Sequence, residues 1–332
     1  MRQAGRILPE YRALREKWSL EQIVRQPDLC VDVTLQPMRR LPLDAAVMFA
    51  DIMTPLSAVG VDLEIVEGVG PVIAAPVRDA QAVRSLRALE PEADVPYVLE
   101  TLQRLRAALP AECAVIGFAG APFTLASYLI EGRPSREFAV TKALMLGEPA
   151  LWDELMTRLS DITIAYMRAQ ADAGADALQL FDSWIGALGP DDYARSVRPH
   201  VRRIFAALQD TGVPLVHFGT NTSGLLHLMK DDGASVIGLD WRVRLDDAWA
   251  GIGHHLAVQG NLDPASLLAP PQIVEQRAAD ILHQAGSRPG HIFNLGHGLL
   301  PATPLDTLHR LVDFVHTRST DIRSSHVLVE AQ

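Results

Sequence analysis

The chain alternates between short apolar segments and longer amphipathic ones, and this alternation is the feature that most restricts its fold. Apolar residues fill both faces of the short segments, as is typical of strands buried in a parallel sheet, and the longer segments have the period of helices. The strand-like segments are residues 45–50, 114–118, 177–181, 213–218, 235–239, 255–259 and 291–295. The clearest helical segments are residues 150–172, 193–210, 273–285 and 305–316. The pattern therefore predicts a series of βα units.

Polar residues follow nearly every strand-like segment, and their distribution favours a barrel over an open, doubly wound sheet. A barrel collects functional groups from the carboxyl ends of many strands, whereas a doubly wound sheet concentrates them at one switch point. The strand ends carry Asp51, Thr124, Tyr128, residues 182–184, Asn221, residues 240–241, Asn261, Asp263 and His297. We predict an α/β fold of the (β/α)8 TIM-barrel type, with residues 1–332 as one domain. Seven strand-like segments are one fewer than such a barrel contains.

The N-terminal third of the chain carries weaker local patterns. Residues 9–17 and 19–26 have the pattern of short helices, and Asp28 is placed to cap a longer helix that runs towards Arg40. Residues 62–74 have the pattern of a small hairpin, because two short Val and Ile runs are separated by glycines.

Composition limits the partners and the compartment. The formal net charge of −10 argues against nucleic acid as the main partner, because a phosphate backbone would be repelled. Cys30 and Cys113 lie far apart in apolar surroundings, which predicts buried thiols in a reducing compartment and no disulfide. The N-terminus lacks the pattern of a signal peptide. We expect a cytoplasmic protein.

One uncharged run, residues 113–130, is long enough for a membrane span to be considered. Gly117, Gly120 and Pro122 interrupt it, so a strand, a turn and a helix are the better interpretation. We therefore expect no association with membranes.

The first six residues indicate an anion-binding site. Arg2, Gln3 and Arg6 surround Ala4 and Gly5. Small residues let the backbone approach a planar anion, while guanidinium groups bind carboxylates or phosphates through paired hydrogen bonds. On composition alone an ordinary exposed terminus is the simpler interpretation, because arginine supplies nearly all the basic residues of this chain.

Asp51 ends an apolar run at the predicted barrel mouth. A carboxylate in apolar surroundings requires hydrogen-bond donors, a cation or a proton. Asp51 is therefore a candidate anchor for N–H donors or for a cationic intermediate. The alternative is a structural role, in which Asp51 caps the turn that begins at Met53.

Three further strand ends carry candidate side chains. The hydroxyl of Tyr128 either points into the mouth or bonds a carbonyl group in the core. Ser183 lacks the surroundings of a nucleophilic Gly-x-Ser-x-Gly turn, so we interpret it as a hydrogen-bond donor. His297 lies between Gly296 and Gly298, which would let the backbone bend and expose the ring, and we interpret it as functional.

The sequence offers little for a metal. His217, His254 and His255 have no Cys, Asp or Glu partner at usual ligand spacing, so we predict structural roles for them and no metal site. The candidates that remain are arginines, a carboxylate, a tyrosine, a serine and a histidine. Together they indicate a pocket for a polyanion that also carries N–H donors.

Several motifs closely resemble those of the uroporphyrinogen decarboxylase family. They are MRQAGR with LPEYR, RRLPLDAAVMFADIM, GFAGAPFTLASYLIEG, QLFDSW, VIGLDWRV, VQGNLDP and HIFNLGHG, and they extend from Met1 to about His316. Members of that family are cofactor-free (β/α)8 barrels, usually homodimers. They convert the four acetate side chains of uroporphyrinogen III to methyl groups, giving coproporphyrinogen III and CO2 for haem and related tetrapyrroles. The resemblance implies the same fold, reaction, substrate and dimer for this chain, without a cofactor.

The resemblance also implies which residues act in catalysis. Asp51 would accept hydrogen bonds from the pyrrole N–H groups and stabilise the positive charge formed when a pyrrole carbon is protonated. Arg2, Arg6 and Tyr128 would complete the catalytic set. The proton donor stays open between Arg2, Tyr128 and water, because a guanidinium with a pKa above about 12 is a poor acid.

The same resemblance implies how the substrate is bound. Arg2 and Arg6 would hold acetate or propionate groups, and His297 would bind a propionate. The full set of implied substrate-binding residues is Arg2, Gln3, Ala4, Gly5, Arg6, Asp51, Tyr128, Ser183 and His297.

The chain departs from the family pattern at its start. Family members usually have a further strand before the first motif, so we expect this barrel to lack part of its N-terminal strand or helix. Without that strand, the backbone that positions Arg2 would also differ from that of the family. Ile7 also stands where an aromatic residue is common, and Arg133 and Pro134 replace a more glycine-rich turn.

Two alternatives follow from these departures. A barrel without its first strand would suit a catalytically impaired tetrapyrrole-binding protein. Zinc-dependent corrinoid methyltransferases of the same superfamily need a His-x-Cys motif near the fifth strand, where this chain has His217, Phe218 and Gly219, so this alternative is disfavoured.

Overall fold

A computed structural model of the protein describes residues 7–66 and 69–330, with side chains up to residue 320. The strands in this part of the chain are β1 (Ala45–Val47), β2 (Leu63–Val66), β3 (Gly70–Ile73), β4 (Ala114–Gly120), β5 (Ala177–Asp182), β6 (Leu215–Gly219), β7 (Val236–Gly238), β8 (Ala257–Leu262) and β9 (His291–Leu295). The predicted hairpin is present as the antiparallel pair β2 and β3. Glu67 and Gly68, in its turn, lie outside the described residues.

Sixteen α-helices occur within the described residues. They are α1 (Pro9–Arg15), α2 (Leu20–Val24), α3 (Pro27–Arg40), α4 (Thr54–Ala58), α5 (Ala80–Ser85), α6 (Pro91–Asp94), α7 (Pro96–Ala108), α8 (Pro122–Glu131), α9 (Ala139–Gly147), α10 (Pro149–Asp172), α11 (Pro190–Ser196), α12 (Arg198–Leu208), α13 (Leu226–Met229), α14 (Leu245–Ile252), α15 (Pro271–Ala285) and α16 (Leu305–Glu330). None of them is long and apolar enough to cross a bilayer.

Within the described residues the main sheet has seven strands in the order β1-β4-β5-β6-β7-β8-β9, and every neighbouring pair is parallel. Strand order follows chain order throughout, so there is no point where the order reverses. This topology is that of a curled barrel-type sheet, and it confirms the prediction against a doubly wound fold. In the described part of the chain, β1 and β9 lie at the two ends of the order.

Several predicted bounds were wrong for identifiable reasons. The predicted helix 193–210 is divided at Val197, because Pro199 has no N–H to donate to the preceding turn. Asp28 lies inside the first turn of α3 and does not cap it, since the helix already begins at Pro27. β1 ends at Val47, three residues earlier than predicted, and the remaining apolar residues lead towards the turn at Asp51.

The run 113–130 folds as predicted. β4 is followed directly by α8, with Pro122 in the first turn of the helix. Cys30 and Cys113 are both buried and unbridged, as expected.

The two faces of the sheet have different environments. Side chains alternate between them along each strand. Phe118, Phe181 and Phe218 pack together with Val47 on the inner face, whereas the larger apolar core lies between the sheet and the surrounding helices.

Gln170 of α10 continues the edge of β4 where β1 has ended. β1 pairs with β4 only as far as Ile116, and Phe118 lies beyond that pairing. The side chain of Gln170 accepts a hydrogen bond from the Phe118 N–H at 2.8 Å and donates one to the Phe118 carbonyl at 2.9 Å. A Cβ atom on Gly117 would lie 2.7 Å from Oε1 of Gln170, so the glycine leaves room for this amide.

We predict that Gln170→Met lowers the free energy of unfolding by about 2 to 5 kcal/mol, because two buried backbone groups lose their partners. Urea unfolding followed by circular dichroism measures the change. Gln272→Met, at an exposed position of α15, is the matched control and should have little effect. Equal stability of the two variants would refute the role of Gln170.

Candidate active site

Asp51 lies between β1 and α4, at the carboxyl end of the sheet. Its Oδ1 accepts a hydrogen bond from the Met53 N–H at 2.9 Å, and its own N–H donates to Oγ1 of Thr54 at 3.3 Å. The carboxylate therefore fixes the turn after β1, as the structural interpretation expected. Its side chain is half-buried.

Tyr128 lies on α8 and packs its ring against that of Trp184, which follows β5. The ring centroids are 4.0 Å apart and the planes are tilted by 38°. Phe138 packs on the same indole at 5.0 Å. Tyr128 is thus held by an aromatic stack at the carboxyl ends of β4 and β5, and its side chain is half-buried.

Ser183 precedes Trp184 in the same loop, so the structure brings two of the predicted site residues to one place. The Ser183 carbonyl accepts a hydrogen bond from Oγ1 of Thr220 at 2.5 Å, which connects the loops after β5 and β6. A Cβ atom on Gly186 would lie 2.3 Å from the carbonyl oxygen of Thr220, so these two backbones pack directly against each other.

His297 follows β9 and is exposed. Its ring makes an edge contact with Trp241, at 6.2 Å between centroids, and the guanidinium of Arg242 lies 4.0 Å above that indole. A Cβ atom on Gly296 would lie 2.5 Å from the backbone nitrogen of Trp241, so glycine is needed for this close approach. The structure places His297 beside β7 and β9, while Tyr128 and Ser183 lie beside β4 and β5.

The other strand-end polar residues are used to fix loops. Asp240 accepts hydrogen bonds from the Asn221 and Arg242 backbone N–H groups, at 2.5 and 2.9 Å. Asn261 donates to the carbonyl groups of Asp240 and Val243 at 2.9 and 2.8 Å. Their partners were not predictable from the strand-end pattern alone.

The inner face below these loops is an aromatic floor formed by Phe118, Phe181 and Phe218. Neighbouring rings meet edge to face, at 5.4 Å and 5.9 Å between centroids. Ile52, next to Asp51, packs against this floor. Sequence analysis did not select these phenylalanines, although each lies at or near the carboxyl end of a strand, where a functional wall was expected.

Arg2, Gln3, Ala4, Gly5 and Arg6 lie outside the described residues. The chain is first described at Ile7, which is buried with Leu8 against the core. Tyr11 then packs against Phe49, with ring centroids 5.6 Å apart, two residues before Asp51.

A cavity of about 740 Å³ lies between β1 and β9. His297 lines it, but Asp51, Tyr128 and Ser183 do not. The buried amides of Gln179 and Gln259, 3.3 Å apart, also face it. Its walls are otherwise mainly apolar, and it is therefore not the space in which the predicted polar residues converge.

Burial affects the chemistry of two ionisable groups, Cys30 and Asp232. Desolvation raises the pKa of the Cys30 thiol to about 12, so this cysteine is neither a nucleophile nor a thiolate ligand at neutral pH. Desolvation also raises the pKa of Asp232, although hydrogen bonds from Arg198 and Tyr193 act in the opposite direction and lower it. Within the described residues, no group of three or more His, Cys, Asp or Glu side chains is arranged to hold a metal ion.

A sequentially ordered parallel sheet, with polar side chains gathered at its carboxyl edge, defines a barrel-type α/β protein. Solved structures agree on the fold. A methyltransferase from Methanosarcina mazei has a TM-score of 0.77 at 18% identity, over 96% of this chain and 92% of that one. A B12-independent methionine synthase from Shewanella sp. W3-18-1 has a TM-score of 0.60 at 13% identity, over 95% and 92% of the two chains.

Sequence comparison gives the family. The family model described as uroporphyrinogen decarboxylase (URO-D) matches residues 1–318. The uroporphyrinogen decarboxylase of Sorangium cellulosum is 51% identical over 96% of this chain and 90% of its own length. That of Thermobifida fusca is 54% identical over 97% and 88%. The chain belongs to the uroporphyrinogen decarboxylase family, as its motifs indicated.

We predict that Gly296→Ala lowers the free energy of unfolding by about 1 to 3 kcal/mol and changes the fluorescence of Trp241, because the added methyl group meets backbone that has no room to yield. Thermal unfolding and emission spectra measure both effects. Gly224→Ala, in the loop after β6, is the control, since its methyl group would meet nothing within 4 Å. A Gly296→Ala variant as stable as this control would contradict the close approach.

Proposed function

We propose that this protein decarboxylates the four acetate side chains of uroporphyrinogen III to give coproporphyrinogen III in tetrapyrrole biosynthesis. The observation that carries the proposal is identity of 51% and 54%, over nearly the whole chain, to two enzymes named uroporphyrinogen decarboxylase. The family match does not favour a methyltransferase or a binding protein without activity.

Each decarboxylation replaces one CO2 by one proton, without oxidation or reduction. Protonation of a pyrrole ring carbon places a positive charge on the ring. When the bond between the acetate methylene and its carboxylate breaks, the electron pair returns to that ring and CO2 leaves. A second protonation, at the methylene carbon, with loss of the first proton from the ring, completes the methyl group. The substrate ring itself therefore acts as the electron sink.

Asp51 is the residue that we propose to stabilise the charged ring and to accept the pyrrole N–H bonds. Its position at the carboxyl end of β1 and its half-buried carboxylate support this role. A carboxylate already fixed by the Met53 N–H needs little rearrangement to stabilise positive charge as it develops.

We propose that Arg2 and Arg6 bind substrate carboxylates, with the backbone of Gln3, Ala4 and Gly5 beside them. Arg6 is adjacent in sequence to Ile7, which is buried. The packing of Tyr11 on Phe49 brings the described start of the chain next to the segment that carries Asp51, and this proximity supports the proposal.

Tyr128, Ser183 and His297 are the proposed hydrogen-bonding residues around the macrocycle. Tyr128 and Ser183 share one loop region through Trp184, and His297 stands on the side of β7 and β9. The aromatic floor suits the hydrocarbon face of a tetrapyrrole. The family resemblance further supports one catalytic domain, a homodimer, a cytoplasmic location and a reaction without a cofactor.

The direct test is anaerobic incubation of the full chain with uroporphyrinogen III. We expect release of CO2 and formation of coproporphyrinogen, detected by chromatography after oxidation to the porphyrins. Binding of the substrate without any decarboxylated product would overturn the proposal in favour of a tetrapyrrole-binding protein.

We expect Asp51→Asn to fold normally but to lose about 100-fold to 1,000-fold in kcat, because the charge is lost while Oδ1 can still accept the Met53 N–H. Circular dichroism and steady-state kinetics measure the two properties. Asp280→Asn, on the exposed face of α15, is the matched control and should retain full activity. A kcat of Asp51→Asn close to that of the control would refute the central role of the carboxylate.

A further inference from the structure

Asp182 is the last residue of β5, and its carboxylate lies in the helix-facing layer of the protein. The preceding residue, Phe181, belongs to the inner aromatic floor, so Asp182 projects from the opposite face of the strand. There the Oγ1 of Thr124 on α8 donates a hydrogen bond to Oδ1 of Asp182 at 3.0 Å. Both side chains are fully buried. Asp182 therefore does not face the inner side on which the substrate is proposed to bind.

The same threonine hydroxyl also holds the loop after β5. Its Oγ1 accepts a hydrogen bond from the backbone N–H of Trp184 at 3.3 Å. A hydroxyl that donates to a carboxylate becomes a stronger acceptor, because neighbouring hydrogen bonds polarise one another. Thr124 thus transmits the effect of a buried charge to the backbone that carries Trp184.

His217 completes the cluster from the neighbouring strand β6. Its Nε2 lies 3.8 Å from Oδ2 of Asp182, and the imidazole is fully buried. No described residue forms a hydrogen bond to that oxygen or to either ring nitrogen of His217. A carboxylate and an imidazole are each costly to bury alone, whereas at this separation one water can bridge them.

Nearby groups do not replace this pairing. The ring of Phe205 closes one side of His217, with centroids 5.3 Å apart. Asp232, which lies within electrostatic range, already accepts hydrogen bonds from Tyr193 and Arg198. Asp182 is therefore the acidic residue that we pair with His217 within the described residues.

We propose that Asp182, His217 and Thr124 form a buried positioning network that fixes Trp184 and, through its ring, the orientation of Tyr128. The ring of Tyr128 packs directly on that of Trp184, with centroids 4.0 Å apart. A small movement of the Trp184 backbone therefore displaces the tyrosine hydroxyl. The effect on turnover rests on the proposed function of Tyr128 as a substrate ligand, whereas the placement of Trp184 does not.

The first experiment changes only the threonine hydroxyl. Thr124→Val keeps the shape but removes both hydrogen bonds, and Thr124→Ser keeps the hydroxyl. Thr163→Val is the matched control, because Thr163 is a fully buried helical threonine whose hydroxyl donates to the Gly120 carbonyl and not to the Trp184 loop. Trp184 fluorescence is obtained by subtracting the spectrum of each protein's Trp184→Phe counterpart.

We expect Thr124→Val to shift the emission of Trp184 and increase its quenching by acrylamide, and to raise KM for uroporphyrinogen by about tenfold with kcat changed by less than about threefold. Thr124→Ser should restore both properties, and Thr163→Val should alter neither. A purely structural role would reduce stability without this separation of KM from kcat. Unchanged Trp184 fluorescence in Thr124→Val, or failure of Thr124→Ser to restore it, would overturn the proposal.

The second experiment tests whether Asp182 and His217 act as one unit. Asp182→Asn and His217→Gln should each raise KM by about tenfold, while the double variant should be no worse than either single one, because the first substitution already breaks the pair. Effects that multiply in the double variant would mean that the two residues act separately. If the unaltered protein does not turn over uroporphyrinogen, the proposed function fails, and the fluorescence of Trp184 alone decides the positioning network.

Discussion

The pairing of polar groups at the carboxyl edge of the sheet is the constraint on which the geometry of the site depends. Parallel strands bring many polar residues to this edge, and each buried one needs a partner. Asp240 accepts a hydrogen bond from the backbone of the loop after β6, and Asp182 accepts one from a threonine hydroxyl on α8. Once these bonds are made, the loops have little freedom to move. The candidate ligand-binding side chains are then held by loops whose backbone is fixed.

The fold gives different environments to two aspartates that have similar sequence surroundings. Asp51 and Asp182 both end apolar runs of the sequence, yet Asp51 is half-buried at the edge of the sheet and Asp182 is fully buried against the helices. The difference comes from the alternation of side chains along a strand together with the length of each strand. Asp51 is itself a turn residue, so its structural role and the chemical role proposed for it would rest on one carboxylate.

Much of the fold was predictable because it rests on local patterns. Strand-like apolar runs, the helices between them and the sequential barrel order all follow from periodicity, and the motifs identified the family. The ends of helices and strands were less predictable. They depend on single residues such as Pro199 and on the point at which the pairing of β1 with β4 ends. The hydrogen bonds of Gln170 and the approach of His217 to Asp182 were not predictable at all, since they join residues that lie far apart in sequence and are brought together only by packing.

The aromatic floor of Phe118, Phe181 and Phe218 has a consequence for how a ring-shaped ligand moves. Hydrocarbon surfaces attract without preferred direction, unlike hydrogen bonds, which have one favoured geometry. A macrocycle bound on this floor as proposed would be able to rotate in its own plane with little change in contact energy. The polar groups above it would then set its orientation, so that one fixed set of side chains would serve several similar arms in turn.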